Sequence, residues 1–187
     1  SHSDHTLANI FYALERTFST PQFAMVAKER LAHYLVLDAL VGNTDRHHEN
    51  WGILRRRTKD GWRGGVAPTF DHASSLGREL ADDGPGKSRN RLLGDGRVGD
   101  YAEKAHGAVY WDSTARRAPS PLELVRRAAA TYPELFHKTL LRVAKLETET
   151  FHRIVNRVPL DWMSKIARSF VIEFLCYNLK QLKEIVP

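Results

Sequence analysis

The sequence predicts a mainly α-helical chain carrying one small β-hairpin, and three observations predict it. Apolar residues recur at helical spacing before residue 42. They do so again after residue 120. Between them, a strand-like run meets a Lys59-Asp60-Gly61 turn signal, which reads as a hairpin. At 187 residues the chain is long enough for one domain with a real core. No internal repeat and no clear domain boundary divides it, so residues 1–187 read as a single unit.

The first helix is expected over 6–18, where Leu7, Ile10, Phe11 and Leu14 share a face. Residues 19–22, with Pro21, read as a break. A longer helix follows from about 23 to 41, with Val26, Ala27, Leu31, Tyr34, Leu35 and Ala39 as its stripe. Leu37 and Leu40 widen that stripe, as in a helix at the middle of a bundle. Gly42 and Asn43 stop it. A polar loop covers 44–50, and residues 51–57 read as a strand. Residues 66–70 are the expected return strand, with Pro68 marking a sheet edge.

Residues 81–119 are rich in Gly, Arg, Asp and Pro and read as irregular, with a short helix expected near 100–106. Ser120, Pro121 and Glu123 then form a helix start: a capping hydroxyl, a proline in the first turn and an acid three residues after the cap. Further helices are expected over 133–146, 148–155 and 162–185. Leu122, Val125, Phe136, Leu140, Ile154, Ile166 and Phe174 are their expected core.

Composition narrows the function classes. With 42% hydrophobic and 27% charged residues the chain is an ordinary globular one. Its net charge of +6 suits an anionic partner such as a nucleotide or nucleic acid, and equally serves solubility. One cysteine, Cys176, excludes an intrachain disulfide or a cysteine-built zinc site, and a small buried hydrophobe is its expected role. No apolar run approaches the roughly 18 residues of a membrane span. No membrane contact and a cytoplasmic, reducing setting are therefore expected.

The chemistry concentrates in Gly42-Asn43-Thr44-Asp45-Arg46-His47-His48-Glu49-Asn50. An Asp followed five residues later by an Asn, in a loop after a buried helix, has the spacing of a kinase catalytic loop. One carboxylate must orient the attacking hydroxyl, and one amide oxygen must reach a magnesium ion on the phosphates. A second carboxylate for that magnesium is needed just past a downstream hairpin, and Asp71 stands there. Magnesium keeps several waters and tolerates so sparse a ligand set.

The longer words carry more specificity. The Asn43-to-Asn50 stretch, followed by Ala67-Pro68-Thr69-Phe70-Asp71, closely resembles the catalytic loop and Pro-x-Phe/Tyr-Asp word of HipA-like kinases. Phosphatidylinositol kinases carry a related Asp-Arg-His-x-x-Asn word, but usually with Asp-Phe-Gly; here His72 and Ala73 follow Asp71. The resemblance covers roughly 20–185 and is sharp between 42 and 77. It implies a protein-kinase-like C-terminal helical lobe with the hairpin at the catalytic cleft. It also implies an ATP-dependent Ser/Thr protein kinase, often the toxin of a toxin–antitoxin pair. ATP and Mg2+ are the implied cofactors. A protein substrate is the implied partner, joined in toxin–antitoxin systems by an antitoxin and, through it, DNA. Asp45 matches the catalytic Asp, and Asn50 and Asp71 match the magnesium ligands. His47, His48, Glu49, Asn50, Phe70 and Asp71 match segments that line the nucleotide phosphates.

Only 44 residues precede Asp45, and they show no Gly-rich phosphate loop or ATP-binding Lys. An N-terminal kinase lobe supplied in cis or trans is therefore an expected partner, and weak activity is expected of the chain alone. A second reading is a non-catalytic binding or assembly module derived from such a lobe, against which the retained Asp45, Asn50 and Asp71 weigh. A zinc or di-metal hydrolase built on His47, His48 and Glu49 is disfavoured, since adjacent histidines rarely face one metal. Arg55, Arg56 and Arg57 alternate in direction on a strand and so form no continuous nucleic-acid face. Trp51, Trp62, Trp111 and Trp162 are expected to pack in the core or at its edge. Ser74 and Ser75 either line the cleft or form a turn.

Overall fold

The computed structural model describes residues 4–186. Among them are eight α-helices and one two-stranded antiparallel hairpin, the mainly helical class with one hairpin that the sequence predicts. α1 (Leu7–Thr17) starts at Thr6, whose hydroxyl accepts from the Asn9 amide, and buries Leu7, Ile10, Phe11 and Leu14. α2 (Pro21–Val41) begins two residues earlier than expected. Pro21 is its first residue, not a break, and Thr20 is the cap. Buried residues lie on several sides of α2, including the consecutive run from Tyr34 to Val36, because α1, α5, α6 and α8 all pack against it. Val26, expected in the stripe, is exposed, while Ala32 and Val36 are fully buried.

β1 (Ile53–Thr58) and β2 (Gly61–Val66) pair from Ile53↔Val66 to Thr58↔Gly61, around the Lys59-Asp60 turn. The return strand thus begins at the turn and ends at Val66, and 67–70 is not a strand. The base of the hairpin is tied to α2, where Tyr34 Oη donates to the Ala67 carbonyl at 2.9 Å. The 81–119 stretch holds two short helices, α3 (Arg89–Gly94) and α4 (Val98–Glu103), both packed on α8. Leu92, Val98, Ala102, Val109 and Ala118 bring it into the core.

α5 (Pro121–Thr131) has the expected cap, Ser120 Oγ accepting from Glu123 N at 3.2 Å. α6 (Pro133–Ala144), α7 (Thr148–Val155) and α8 (Lys165–Glu184) complete the bundle. Leu122, Val125, Phe136, Leu140 and Phe174 are buried as expected. Ile154 is 57% exposed and Ile166 only half-buried; Phe151, Ala167 and Phe170 hold the core positions instead. Cys176 is half-buried, and burial pushes its thiol up. Trp51 and Trp111 are half-buried, but Trp62 and Trp162 lie largely in solvent. Among the described residues no helix is long and apolar enough to cross a membrane.

Candidate functional site

The site is built on the C-terminal end of α2. Gly42 ends the helix in the left-handed conformation (φ 66°) and turns the chain into the polar loop. One turn earlier stands Asp38, a buried carboxylate in an otherwise apolar stretch. Its partner is Arg46, also buried. Arg46 Nε donates to Asp38 Oδ2 and Nη2 to Oδ1, each at 2.7 Å. Asn43 Nδ2 donates to Asp38 Oδ1 at 2.9 Å, while Asn43 Oδ1 accepts from the Asp45 amide at 3.1 Å. The loop is thereby locked to the helix it leaves.

The third nitrogen of Arg46 joins two distant segments. Nη1 donates to the Asn50 carbonyl and to the Phe70 carbonyl, the latter at 3.1 Å. Phe70 immediately precedes Asp71, so one guanidinium holds the 45–50 loop beside the segment past the hairpin. Backbone bonds repeat the tie: Thr44 N donates to Ser74 O at 3.1 Å, and Leu76 N to Val41 O at 2.9 Å. His72 adds to it, accepting at Nδ1 from Arg46 Nη2 (3.4 Å) and donating from Nε2 to Thr69 Oγ1 (3.1 Å).

Asn50 is buried, and its Nδ2 donates to the Asp45 carbonyl at 2.7 Å. That fixes which end of the amide is committed, and Oδ1 accepts no hydrogen bond among the described residues. The Asp45 side chain is 45% exposed. His47 Nδ1 accepts from the Glu49 amide at 3.2 Å, which puts the ring proton on Nε2, 3.8 Å from Asp45 Oδ1. His48 and Glu49 are exposed, and the His47 and His48 rings lie 5.8 Å apart, tilted by 58°. Asp71 is exposed and sits at φ 50°, a left-handed conformation rare outside glycine. Phe70 is 43% exposed beside it.

Among the described residues no three His, Cys, Asp or Glu side chains are grouped to hold a metal ion. A magnesium ion needs no such group, because one carboxylate, one amide oxygen and the oxygens of a nucleotide satisfy it. The uncommitted Oδ1 of Asn50 and the exposed carboxylate of Asp71 fit that donor set.

Asp38, Arg46, Asn43 and His72 were not assigned roles from the sequence, yet they organise the site. The available signal was Asp38 itself, the single charge in the run from Tyr34 to Val41, since a buried carboxylate demands a partner.

No protein-family model matches the chain. A 77-residue stretch, 41% of the chain, is 36% identical to the serine/threonine-protein kinase CtkA of Helicobacter pylori strain J99 and covers 22% of that protein. The whole fold is similar to the crystal structure of the Helicobacter pylori proinflammatory kinase CtkA. The TM-score is 0.74 at 22% identity, over 98% of this chain and 62% of that one. The chain therefore spans less than two thirds of the solved kinase and about a fifth of the curated one. By sequence and by fold it is similar to a protein kinase.

Proposed function

We propose that this chain is the C-terminal catalytic lobe of a HipA-like, ATP- and magnesium-dependent Ser/Thr protein kinase. It directs the ATP γ-phosphate to a protein hydroxyl. The observation that carries the reading is Arg46, which is buried, neutralised by Asp38, and bonded at once to the Asn50 and Phe70 carbonyls. Such a joint holds the backbone of Asn50 close to the residue before Asp71, where their side chains can act together.

Asn50 Oδ1 and the Asp71 carboxylate would hold the magnesium, which supplies charge neutralisation on the phosphates. Asp45 orients the acceptor hydroxyl and takes its proton. His47 Nε2 stands near enough to Asp45 to bias where that carboxylate points. His48, Glu49 and Phe70 border the phosphates. The grip on ATP from above comes from an N-terminal lobe in cis or in trans. A cytoplasmic toxin–antitoxin setting, with an antitoxin that reaches DNA, rests on the resemblance of the loop words alone.

The test pairs Mg-ATP calorimetry with a γ-phosphate transfer assay, on the chain alone and with a strand-rich nucleotide lobe added. Asp45→Asn should abolish transfer with little loss of Mg-ATP binding. Asp71→Asn should weaken Mg-ATP binding itself. Transfer that survives Asp45→Asn overturns the catalytic assignment.

A further inference from the structure

One residue beyond Asp71 a cavity opens, about 440 Å³ in volume, between the 72–89 segment and the start of α8. That is ample for one or two amino-acid side chains. Its charged wall is Arg78, Arg89 and Asp82, and its apolar wall is Trp162, Met163, Ala167 and Val171.

The charges there do not cancel. Asp82 is fully engaged: Arg89 Nη1 donates to its Oδ1 at 2.8 Å and Ser164 Oγ donates to its Oδ2. Arg89 Nη2 donates to the Gly77 carbonyl at 3.0 Å. Arg78 is exposed, and its guanidinium has no carboxylate or carbonyl partner among the described residues. The N-terminal turn of the long helix α8 adds its positive end, with Ser164 as cap.

Two further features mark the lining. Ser75 lines the cavity at 8% exposure, and its Oγ makes no hydrogen bond; the Arg89 Nε is likewise buried and unpartnered. Both atoms are closed off from solvent, so they make the wall polar without themselves being contact points for a ligand. Trp162, on the rim, is 82% exposed, the most exposed large hydrophobic side chain described. Exposed tryptophan beside an uncompensated arginine is the composition of a binding hot spot.

We infer that this cavity binds an anionic side chain of the acceptor polypeptide, with a neighbouring apolar residue of that polypeptide laid on Trp162. The inference rests on the kinase reading for the word acceptor, but the pocket itself is testable without phosphotransfer. Its chemistry is a carboxylate or a phosphoryl group carried on a peptide.

The probes are acetylated and amidated octapeptides with one central serine and one leucine. Asp, phosphoserine or Lys is fixed at each remaining position in turn. Binding is measured by fluorescence anisotropy without nucleotide or magnesium. Asp or phosphoserine members should bind at least about tenfold more tightly than the matching Lys members, the scale of one charge-assisted contact. Arg78→Glu should reverse that preference. Trp162→Ala should weaken binding of the anionic members by about tenfold without changing the charge preference. Thermal melting shows whether each variant is folded; both positions lie on the surface, where substitutions rarely unfold a protein.

Equal binding of Asp and Lys members overturns the proposal, as does an unchanged preference in folded Arg78→Glu. A single-stranded oligonucleotide that binds more tightly than every peptide and is lost in Arg78→Glu assigns the pocket to nucleic acid and also overturns it. Anionic-peptide binding with no phosphotransfer under any condition sinks the kinase reading while leaving the pocket's ligand class in place.

Discussion

Arg46 and Asp38 meet in a two-pronged ion pair, Nε on Oδ2 and Nη2 on Oδ1, with their side chains 3% and 4% exposed. The remaining donor of the guanidinium bonds the Asn50 and Phe70 carbonyls. A buried pair of this kind is weak evidence for stability as such, but removing one partner is severe because the other charge is stranded.

Asp38→Ala should therefore cost about 3–5 kcal/mol of unfolding free energy, read from urea melts. Arg46→Lys should also destabilise, because a lysine is a point charge that cannot serve the Asp38 carboxylate and two carbonyls in a fixed fork. If the pair also positions the site, Arg46→Lys protein that remains folded should lose Mg-ATP affinity in calorimetry. Asp38→Ala protein within about 1 kcal/mol of the parent would show that the joint lies elsewhere.

The contrast between what the sequence did and did not disclose follows from interaction range. α1 and α5 were legible because their caps and apolar periodicity are local: Ser120 with Glu123, Leu7 with Ile10, Phe11 and Leu14. The 42–50 loop was legible because its spacing is contiguous. β2 was missed because Gly61-Trp62-Arg63-Gly64-Gly65 has little strand propensity; its pairing is imposed by the two-residue turn and by β1. α3, six residues long, shows too few turns for a period and packs its Leu92 on α8, whereas α4 overlaps the short helix expected near 100–106. Arg46 stands inside the loop motif, but its contacts are long-range: it reaches back to Asp38 and forward to Phe70.

Gly42 marks where α2 must end. It lies at φ 66°, and a Cβ placed there would stand 2.3 Å from Cζ of Phe174, whose ring stacks on Phe170 in the core. Gly42→Ala therefore meets two penalties, left-handed strain and overpacking, and should cost about 2–4 kcal/mol. Gly52, at the entrance to the hairpin, has nothing within 4 Å of such a Cβ and no positive φ. Gly52→Ala should melt within about 0.5 kcal/mol of the parent. Equal midpoints for the two variants would contradict this account of the helix end.

Asp71 holds its carboxylate out to solvent from a left-handed backbone at φ 50°. That conformation is strained for a residue with a Cβ, and strain of this type gathers at functional positions. Asp71→Gly relieves it and Asp71→Ala keeps it, while both remove the carboxylate. The Gly variant should be more stable than the Ala variant by about 1 kcal/mol in urea melts. Both should lose Mg-ATP binding to the same extent, because the lost charge is common to them. A binding difference between the two would mean that the backbone, and not the carboxylate, is what the site requires.

His5 sits between the first helix and the hairpin entrance: Trp51 Nε1 donates to its Nε2 at 3.1 Å, and its Nδ1 donates to the Ala108 carbonyl at 3.0 Å. Both ring nitrogens are thus committed in the neutral form, with Nε2 an acceptor. Burial first, opposed by the Ala108 bond and reinforced by nearby His48 and His47, holds the His5 pKa below its ordinary value of 6.5. The unfolded chain therefore takes up a proton on His5 as pH falls through 6.5, while the folded chain does not until lower pH. In that window the unfolded state binds more protons, so this contribution to stability is present above 6.5 and is lost as pH falls. Once protonated, Nε2 becomes a donor facing the Trp51 N–H and the bond breaks. His33, also held low by burial, adds a slope of the same sign. His5→Gln, whose amide can supply one donor and one acceptor, should flatten the fall in melting temperature between pH 7 and 5 without abolishing it. It should also remove any acid-induced change in the fluorescence that Trp51→Phe removes. An unaltered pH profile in His5→Gln would place the acid sensitivity of this fold on other groups.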